Sequence, residues 1–312
     1  MKILIVGDLH LKTKSPRRRR EADFAEVGLG KLRQILKMPH DVVVQVGDFF
    51  DSPDPSKGLI AGVIELLDDR DPWLAIHGQH DLRYHSQEAA GRSALRVLEA
   101  AGRVKLLDFG ESMLFDGLHQ DVTFYGAGFG QRPGSLRKTG DDQFNVLISH
   151  AMVGDKPLWP GHDLTGPEQY VCKHPGYNLY VLGDFHYPFS TKVGNSWVIN
   201  AGAVLRLTAD TRDRTRKPKV VLFDTETNEP QDIYLDVTPE AEAFDFDEYE
   251  EDKAGEQTKA SFVGMAETLR KSGTIGTNFK NNVDAALDVA DADENVRNKV
   301  WLCWRRIMDK KE

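Results

Sequence analysis

One after another, the apolar runs of this chain stop at a side chain able to hold a metal ion. Ile3-Leu-Ile-Val leads into Gly7-Asp8-Leu9-His10, and Val42-Val-Val-Gln-Val into Gly47-Asp48-Phe49-Phe50-Asp51. Val146-Leu-Ile leads into Ser149-His150, and Leu179-Tyr-Val-Leu into Gly183-Asp184-Phe185-His186. Gly78-Gln79-His80-Asp81 and Asn200-Ala201-Gly202-Ala203 complete the series. Short apolar runs of this kind read as buried strands. In open α/β sheets the carboxyl ends of the strands share one edge, and ligands bind there. A chain folded this way collects its acids and imidazoles in one place.

Between these runs, residues 18 to 37, 57 to 70 and 88 to 101 read as helices, so the first half predicts parallel strands with helices on both faces. From about 104 the rhythm shortens. Val122-Thr-Phe-Tyr, Thr191-Lys-Val, Trp197-Val-Ile, Lys219-Val-Val-Leu-Phe and Asp232-Ile-Tyr-Leu read as a second, largely antiparallel sheet. The expected architecture is α/β, a sandwich of two sheets flanked by helices. Residues 1 to 237 form its domain, 238 to 255 an acidic linker, and 256 to 312 a helical tail. Within the tail, 256 to 271, 279 to 290 and 293 to 309 read as helices. The last places Val300, Trp301, Trp304, Ile307 and Met308 on one face, suited either to its own domain or to a partner.

Charge is unevenly distributed. The formal net charge is −9, which argues against bulk coating of nucleic acid, yet Lys12, Lys14 and Arg17 to Arg20 form a basic run directly after the first motif. Residues 240 to 252 hold eight carboxylates and no base. The two cysteines, Cys172 and Cys303, form no CxxC and read as free thiols. With no secretion leader and no membrane-length apolar run in the sequence, a cytoplasmic protein without a membrane partner is expected.

Acids and imidazoles in this order suit hydrolysis of a phosphate ester. Two divalent ions about 3.5 to 4 Å apart can supply a nucleophile at neutral pH and neutralise the phosphoryl oxygens. Such a pair needs one carboxylate that touches both ions, for which Asp48 is the candidate. Asp8, His10 and His186 would hold one ion; Gln79, His150 and Asp184 would hold the other. His80 would protonate the leaving oxygen, with Asp51 orienting it. Taken singly, an Asp after a strand is usually a cap, and a lone His a satisfied structural group. The order and spacing of the set reverse that reading. His77 and His85 flank the third motif and could touch substrate, while His40, His119, His162 and His174 read as structural or surface groups.

The set of motifs resembles the series D-x-H, G-D-x-x-D, G-N-H-D, a lone His and G-H-x-H of the calcineurin-like metallophosphoesterases. Within them, Gly-Asp-Leu-His-Leu and Gly-Asp-Phe-Phe-Asp look most like the nuclease subunit of SbcCD-type DNA repair complexes and its phage counterparts. Val198-Ile-Asn-Ala-Gly-Ala-Val-Leu-Arg and the strands from Lys219 to Asp236 are similar to the closing part of that nuclease domain. The resemblance implies a four-layer sandwich of two mixed β-sheets with a small C-terminal helical extension. It also implies Asp8, His10, Asp48, His150 and His186 as ligands and His80 as the catalytic histidine. Two positions depart from the pattern: Gln79 stands where Asn is usual, and Asp184 where His is usual. A more oxygen-rich shell favours manganese, or magnesium, over zinc.

By the same resemblance, DNA is the expected substrate, with Arg17, Arg18, Arg19 and Arg20 contacting backbone phosphates, and an SbcC-like coiled-coil ATPase is the expected partner of the helical tail. A homodimer is compatible with this reading. Two alternatives stay open: a stand-alone phosphatase or phosphodiesterase on small esters, and a noncatalytic DNA-binding scaffold with a degenerate metal site.

Overall fold

In β1 (Lys2–Val6), successive side chains face opposite ways and every residue from Ile3 onward is buried. Ile3 and Ile5 point to one apolar cluster, Leu4 and Val6 to another. A strand of this kind needs cover on both faces, and that requirement organises the molecule. The computed structural model describes residues 1–67, 73–116, 120–134, 136, 143–157, 164–246, 284, 287 and 294–308, with side chains of the last helix described to residue 302.

Two six-stranded sheets stack face to face. The first has the order β12-β11-β1-β2-β3-β4. Here β2 is Val42–Gln45, β3 Trp73–Ala75, β4 Lys105–Leu106, β11 Lys219–Asp224 and β12 Glu229–Tyr234. Strands β1 to β4 run parallel, and β11 and β12 close the edge antiparallel. The second has the order β5-β6-β7-β8-β10-β9. Its strands are β5 Ser112–Phe115, β6 Asp121–Ala127, β7 Gln143–His150, β8 Leu179–Gly183, β9 Phe189–Val193 and β10 Ser196–Asn200. The expected two mixed sheets are present, with two differences in detail. The second sheet is not largely antiparallel: β6, β7, β8 and β10 are parallel, and only the edge strands β5 and β9 run antiparallel. Lys219–Asp224 and Glu229–Tyr234 extend the first sheet instead of the second, because β11 pairs with β1.

Between the sheets lie Ile3, Ile5, Val44, Ile76, Phe124, Val146, Ile148, Val181 and Phe223. The outer face of the first sheet is covered by helices α1 (Phe24–Ile35), α2 (Lys57–Leu66) and α3 (Ala94–Ala100), through Phe24, Leu32, Val63 and Leu95. A third cluster, centred on Tyr125, Leu147, Tyr170 and Tyr180, sits under α4 (Pro167–Lys173). The result is a four-layer sandwich. The described residues divide into two units, Met1–Asp245 and Phe246–Glu312. In the second, a helix spans Glu294–Met308, and the Trp301 indole donates to Asp284 at 3.2 Å. The expected helices 256 to 271 and 279 to 290 lie largely outside the described residues, as do His119, His162 and the side chains of Cys303, Trp304, Ile307 and Met308. Cys172 is a free, exposed thiol. No helix among the described residues is long and apolar enough to cross a membrane.

Candidate metal centre

Strands β1, β2, β7 and β8 all end at the same edge of the sandwich, which brings Asp8, Asp48, His150 and Asp184 together. Asp8 and Asp48 are fully buried, and His10 and His150 nearly so. His10, Asp48 and Asp184 hold left-handed backbones, with φ of 45°, 49° and 76°. That conformation costs about 1–3 kcal/mol for a residue other than glycine and is concentrated at functional sites. Three such residues in one cluster mark where folding energy has been spent on position.

Asp48 is central. Its Oδ2 lies 3.7 Å from His10 Nε2 and 3.5 Å from His150 Nε2, and its Oδ1 accepts the His80 backbone N–H at 2.8 Å. On one side, His10 Nε2 and His186 Nε2 stand 3.0 Å apart. On the other, Gln79 Oε1 lies 2.6 Å from His150 Nε2, and the Gln79 amide donates to Asp184 Oδ1 at 2.7 Å. All seven candidate ligands are therefore linked through short contacts. Two groups have ligand atoms close enough to share an ion: Asp8, Asp48 and His150, and His10, Asp51 and His80. Asp8 thus groups with His150 rather than with His10.

Three buried atoms here have no hydrogen-bond partner: Asp8 Oδ2, His10 Nδ1 and Asp48 Oδ2. Leaving such atoms unpaired is costly, whereas a bound cation would satisfy the two carboxylate oxygens. The electrostatics agree. Burial pushes Asp8 up to about 6 despite His150 and His186. Burial alone would also raise Asp48, but the imidazoles of His150, His10 and His80 outweigh it and hold that carboxyl well below its ordinary range. His150 goes the other way: burial is overcome by Asp48, Asp8 and Asp184, and it rises to about 10. Its Nδ1–H donates to the Val46 carbonyl at 2.6 Å, so Nε2 faces the Gln79 oxygen only with a second proton. A carbonyl that fixes the far nitrogen of a ligating imidazole is the usual outer-shell device. The donor set of carboxylates, imidazoles and an amide oxygen fits manganese, magnesium, iron or zinc.

Asp51 does not orient His80 through its carboxylate. Its side chain turns to Lys12 Nζ (2.5 Å) and His10 Nδ1 (3.6 Å), while its backbone carbonyl accepts from His80 Nδ1 at 3.2 Å. Asp81 closes the third motif, and its buried carboxylate accepts backbone N–H groups from Phe49, Phe50 and Gly78 at 3.0 to 3.3 Å. It ties the loop after β2 to the loop after β3. The only sign of this in the sequence was its place beside His80. His77 is buried between Asp108 and Ser93 and faces no solvent. His85 stands on the rim, its ring 6.3 Å from those of His80 and Phe129. Of the basic run, Arg19 is turned into the fold, donating to Glu21 and to the Arg206 carbonyl and lying over the rings of Phe24 and Phe244. Arg20 lies 3.8 Å from Asp245.

Residues 1–188 match the model of the calcineurin-like phosphoesterases. The chain belongs to that family. With its buried acid–imidazole clusters, this member of the calcineurin-like phosphoesterases is a metal-binding hydrolase. Among curated relatives, the DNA double-strand break repair protein Mre11 of Halobacterium salinarum is 26% identical over 241 residues, covering 72% of this chain and 57% of that protein. Mre11 of Haloferax volcanii is 26% identical over 227 residues, covering 68% and 47%. The chain spans about half the length of the curated relatives it matches. Among solved structures, TT1561 of Thermus thermophilus aligns with a TM-score of 0.47 at 13% identity, over 75% of this chain and 98% of that one.

Proposed function

We propose that this phosphoesterase is the nuclease subunit of an SbcD/Mre11-type system, a manganese-dependent DNA exonuclease and endonuclease working with an SbcC-like ATPase. The observation that carries the two-metal part is Asp48, fully buried, with one oxygen equidistant within 0.2 Å from imidazoles of two groups and satisfied by neither. The Mre11 relatives carry the choice of DNA. In this reading residues 1 to 237 are the nuclease domain, 238 to 255 a linker, and 256 to 312 the segment that docks on the ATPase.

In this reading His10 and His186 would hold one ion and Gln79, His150 and Asp184 the other, with Asp48 shared and Asp8 on the His150 side. Bound divalent ions supply an activated water and neutralise charge on the phosphoryl oxygens. His80 is held by its Nδ1–H on the Asp51 carbonyl, which leaves Nε2 to carry a proton toward the departing sugar oxygen. The His80 backbone N–H on Asp48 ties that imidazole to the ligand set. Arg17, Arg18 and Arg20 are the proposed phosphate contacts, Arg19 being occupied in the fold.

A second reading, a phosphodiesterase on small esters, draws on one observation. A cavity of about 650 Å³ adjoins the centre, lined by Phe129, Arg132, Met152, Lys173, His150 and Asp184. It offers an aromatic face, two cations and direct access to two candidate ligands.

The deciding experiment compares wild type and His80→Asn on linear double-stranded DNA with manganese, counting bound metal in both. The nuclease reading expects degradation by wild type alone, with equal metal in the two proteins. Loss of metal in His80→Asn would reassign His80 as a ligand. Two bound ions with no action on DNA, but hydrolysis of a small diester, would favour the second reading.

A further inference from the structure

On α1, Lys31 lines a cavity of about 260 Å³ without a hydrogen-bond or ion-pair partner among the described residues. It is 8% exposed. Arg206 lines the same cavity and is 6% exposed. Its guanidinium donates to the Arg214 carbonyl at 2.6 Å and to the Thr238 carbonyl, and lies 5.6 Å from the Phe244 ring. Among the described residues no carboxylate comes within ion-pair distance of it. Arg19 adds a second guanidinium to the wall, with its charge met by Glu21.

Two carboxylates also reach the lining. Glu26 is turned to Arg33, and Asp236 belongs to an exposed residue at the rim. Neither closes on Lys31 or Arg206.

Asp236 acts on Lys31, and Glu240 and Asp213 on Arg206, only from beyond ion-pair distance, and burying two cations with no carboxylate in contact is costly. An apolar residue at position 31 would fill the space without that cost. The cavity far exceeds the roughly 30 Å³ share of one water. Oxyanions are the ligands that match a lysine ammonium and a guanidinium held across such a space. We propose that this cavity is a second anion site, separate from the metal centre, which takes the phosphate group of inorganic phosphate or of a small phosphomonoester. Burial and the neighbouring Arg206 push Lys31 down to about 8, against the pull of Asp236; a bound anion would lift that strain.

The test is thermal unfolding of the full chain in chelator, which removes the metal centre as a phosphate receptor. Sodium phosphate is titrated into wild type and Lys31→Met, with sodium chloride of equal ionic strength as the control for screening. The site predicts a saturable rise in Tm for wild type beyond the chloride control, and loss of that rise in Lys31→Met. Without phosphate, Lys31→Met should melt above wild type, since the buried charge is gone. Equilibrium dialysis with labelled phosphate gives a second reading that does not depend on stability: saturable uptake by wild type, and none by the variant. Thymidine 5′-phosphate in place of inorganic phosphate separates the sources. Equal responses assign the phosphate group alone, and a stronger response to the nucleotide assigns an ester. No rise beyond chloride with either probe, or equal rises in both proteins, overturns the proposal.

Discussion

Gly78 has no side chain because Asp48 occupies the space one would need. A Cβ there would lie 2.1 Å from Asp48 Oδ1 and 2.2 Å from its backbone nitrogen. Gly78→Ala must therefore push the loop after β3 away from the loop after β2. Asp81 pins those loops through Gly78 and Phe50, so the strain falls on Asp48 itself. Overpacking of this kind costs about 1–3 kcal/mol, and displaced support of a ligand typically costs about 10–100-fold in metal affinity. The expected outcome is a folded protein by circular dichroism that binds metal weakly by equilibrium dialysis. Full metal binding would show that the crowding at Gly78 does not displace Asp48. Most candidate ligands were legible because each is a local event, a strand end followed by a turn and an acid or imidazole. Asp81, and the use of the Asp51 carbonyl rather than its carboxylate, were not. Both depend on how two loops far apart in sequence meet, which no spacing encodes.

At the scale of elements, helix ends tell the same story. The stretch 88 to 101 reads as one helix but forms two pieces, a 3-10 turn over Gln87–Arg92 and α3 from Ala94. Ser93 separates them with an extended backbone, and its hydroxyl accepts the Arg96 N–H at 3.1 Å. Likewise 18 to 37 shortens to Phe24–Ile35, where the Asp23 side chain caps Glu26. Apolar periodicity found both helices, and capping chemistry decided where they begin. Ser93 has a second task, since its hydroxyl lies 2.6 Å from His77 Nε2. Ser93→Ala therefore removes a cap and strands a buried imidazole. A lost cap costs about 1 kcal/mol and an orphaned buried polar group about 1–3 kcal/mol. The urea midpoint should fall with an unchanged slope, and by clearly more than for Asp23→Ala, which loses a cap alone. Equal losses would mean that His77 finds another partner. The parallel run of the second sheet escaped the sequence for a related reason. Short strands with nearby turns suggest hairpins, whereas β7 and β8 pair parallel across the intervening α4.

For the whole molecule, the question is how much of the chain the chemistry requires. All three apolar clusters and every candidate ligand lie within Met1–Asp245. The end of that unit is part of its packing: the Phe244 ring is fully buried, with Arg19 4.6 Å and Arg206 5.6 Å from its centroid, and Arg20 N–H donates to the Ala243 carbonyl at 3.0 Å. A chain ending after Asp245 keeps these contacts, and one ending at 237 loses them all. Burying a Phe contributes about 1.5–3 kcal/mol, so the shorter version should be measurably less stable. The longer version should melt cooperatively, bind the same number of metal ions as the full chain, and hydrolyse a chromogenic bis-ester at the same rate per chain. If the tail docks an ATPase, that version should also lose co-elution with an SbcC-like coiled coil while its ester hydrolysis stands. Loss of hydrolysis along with the tail, in a protein that still melts cooperatively, would mean that residues beyond 245 complete the site. The tail would then belong to the chemistry and not to docking alone.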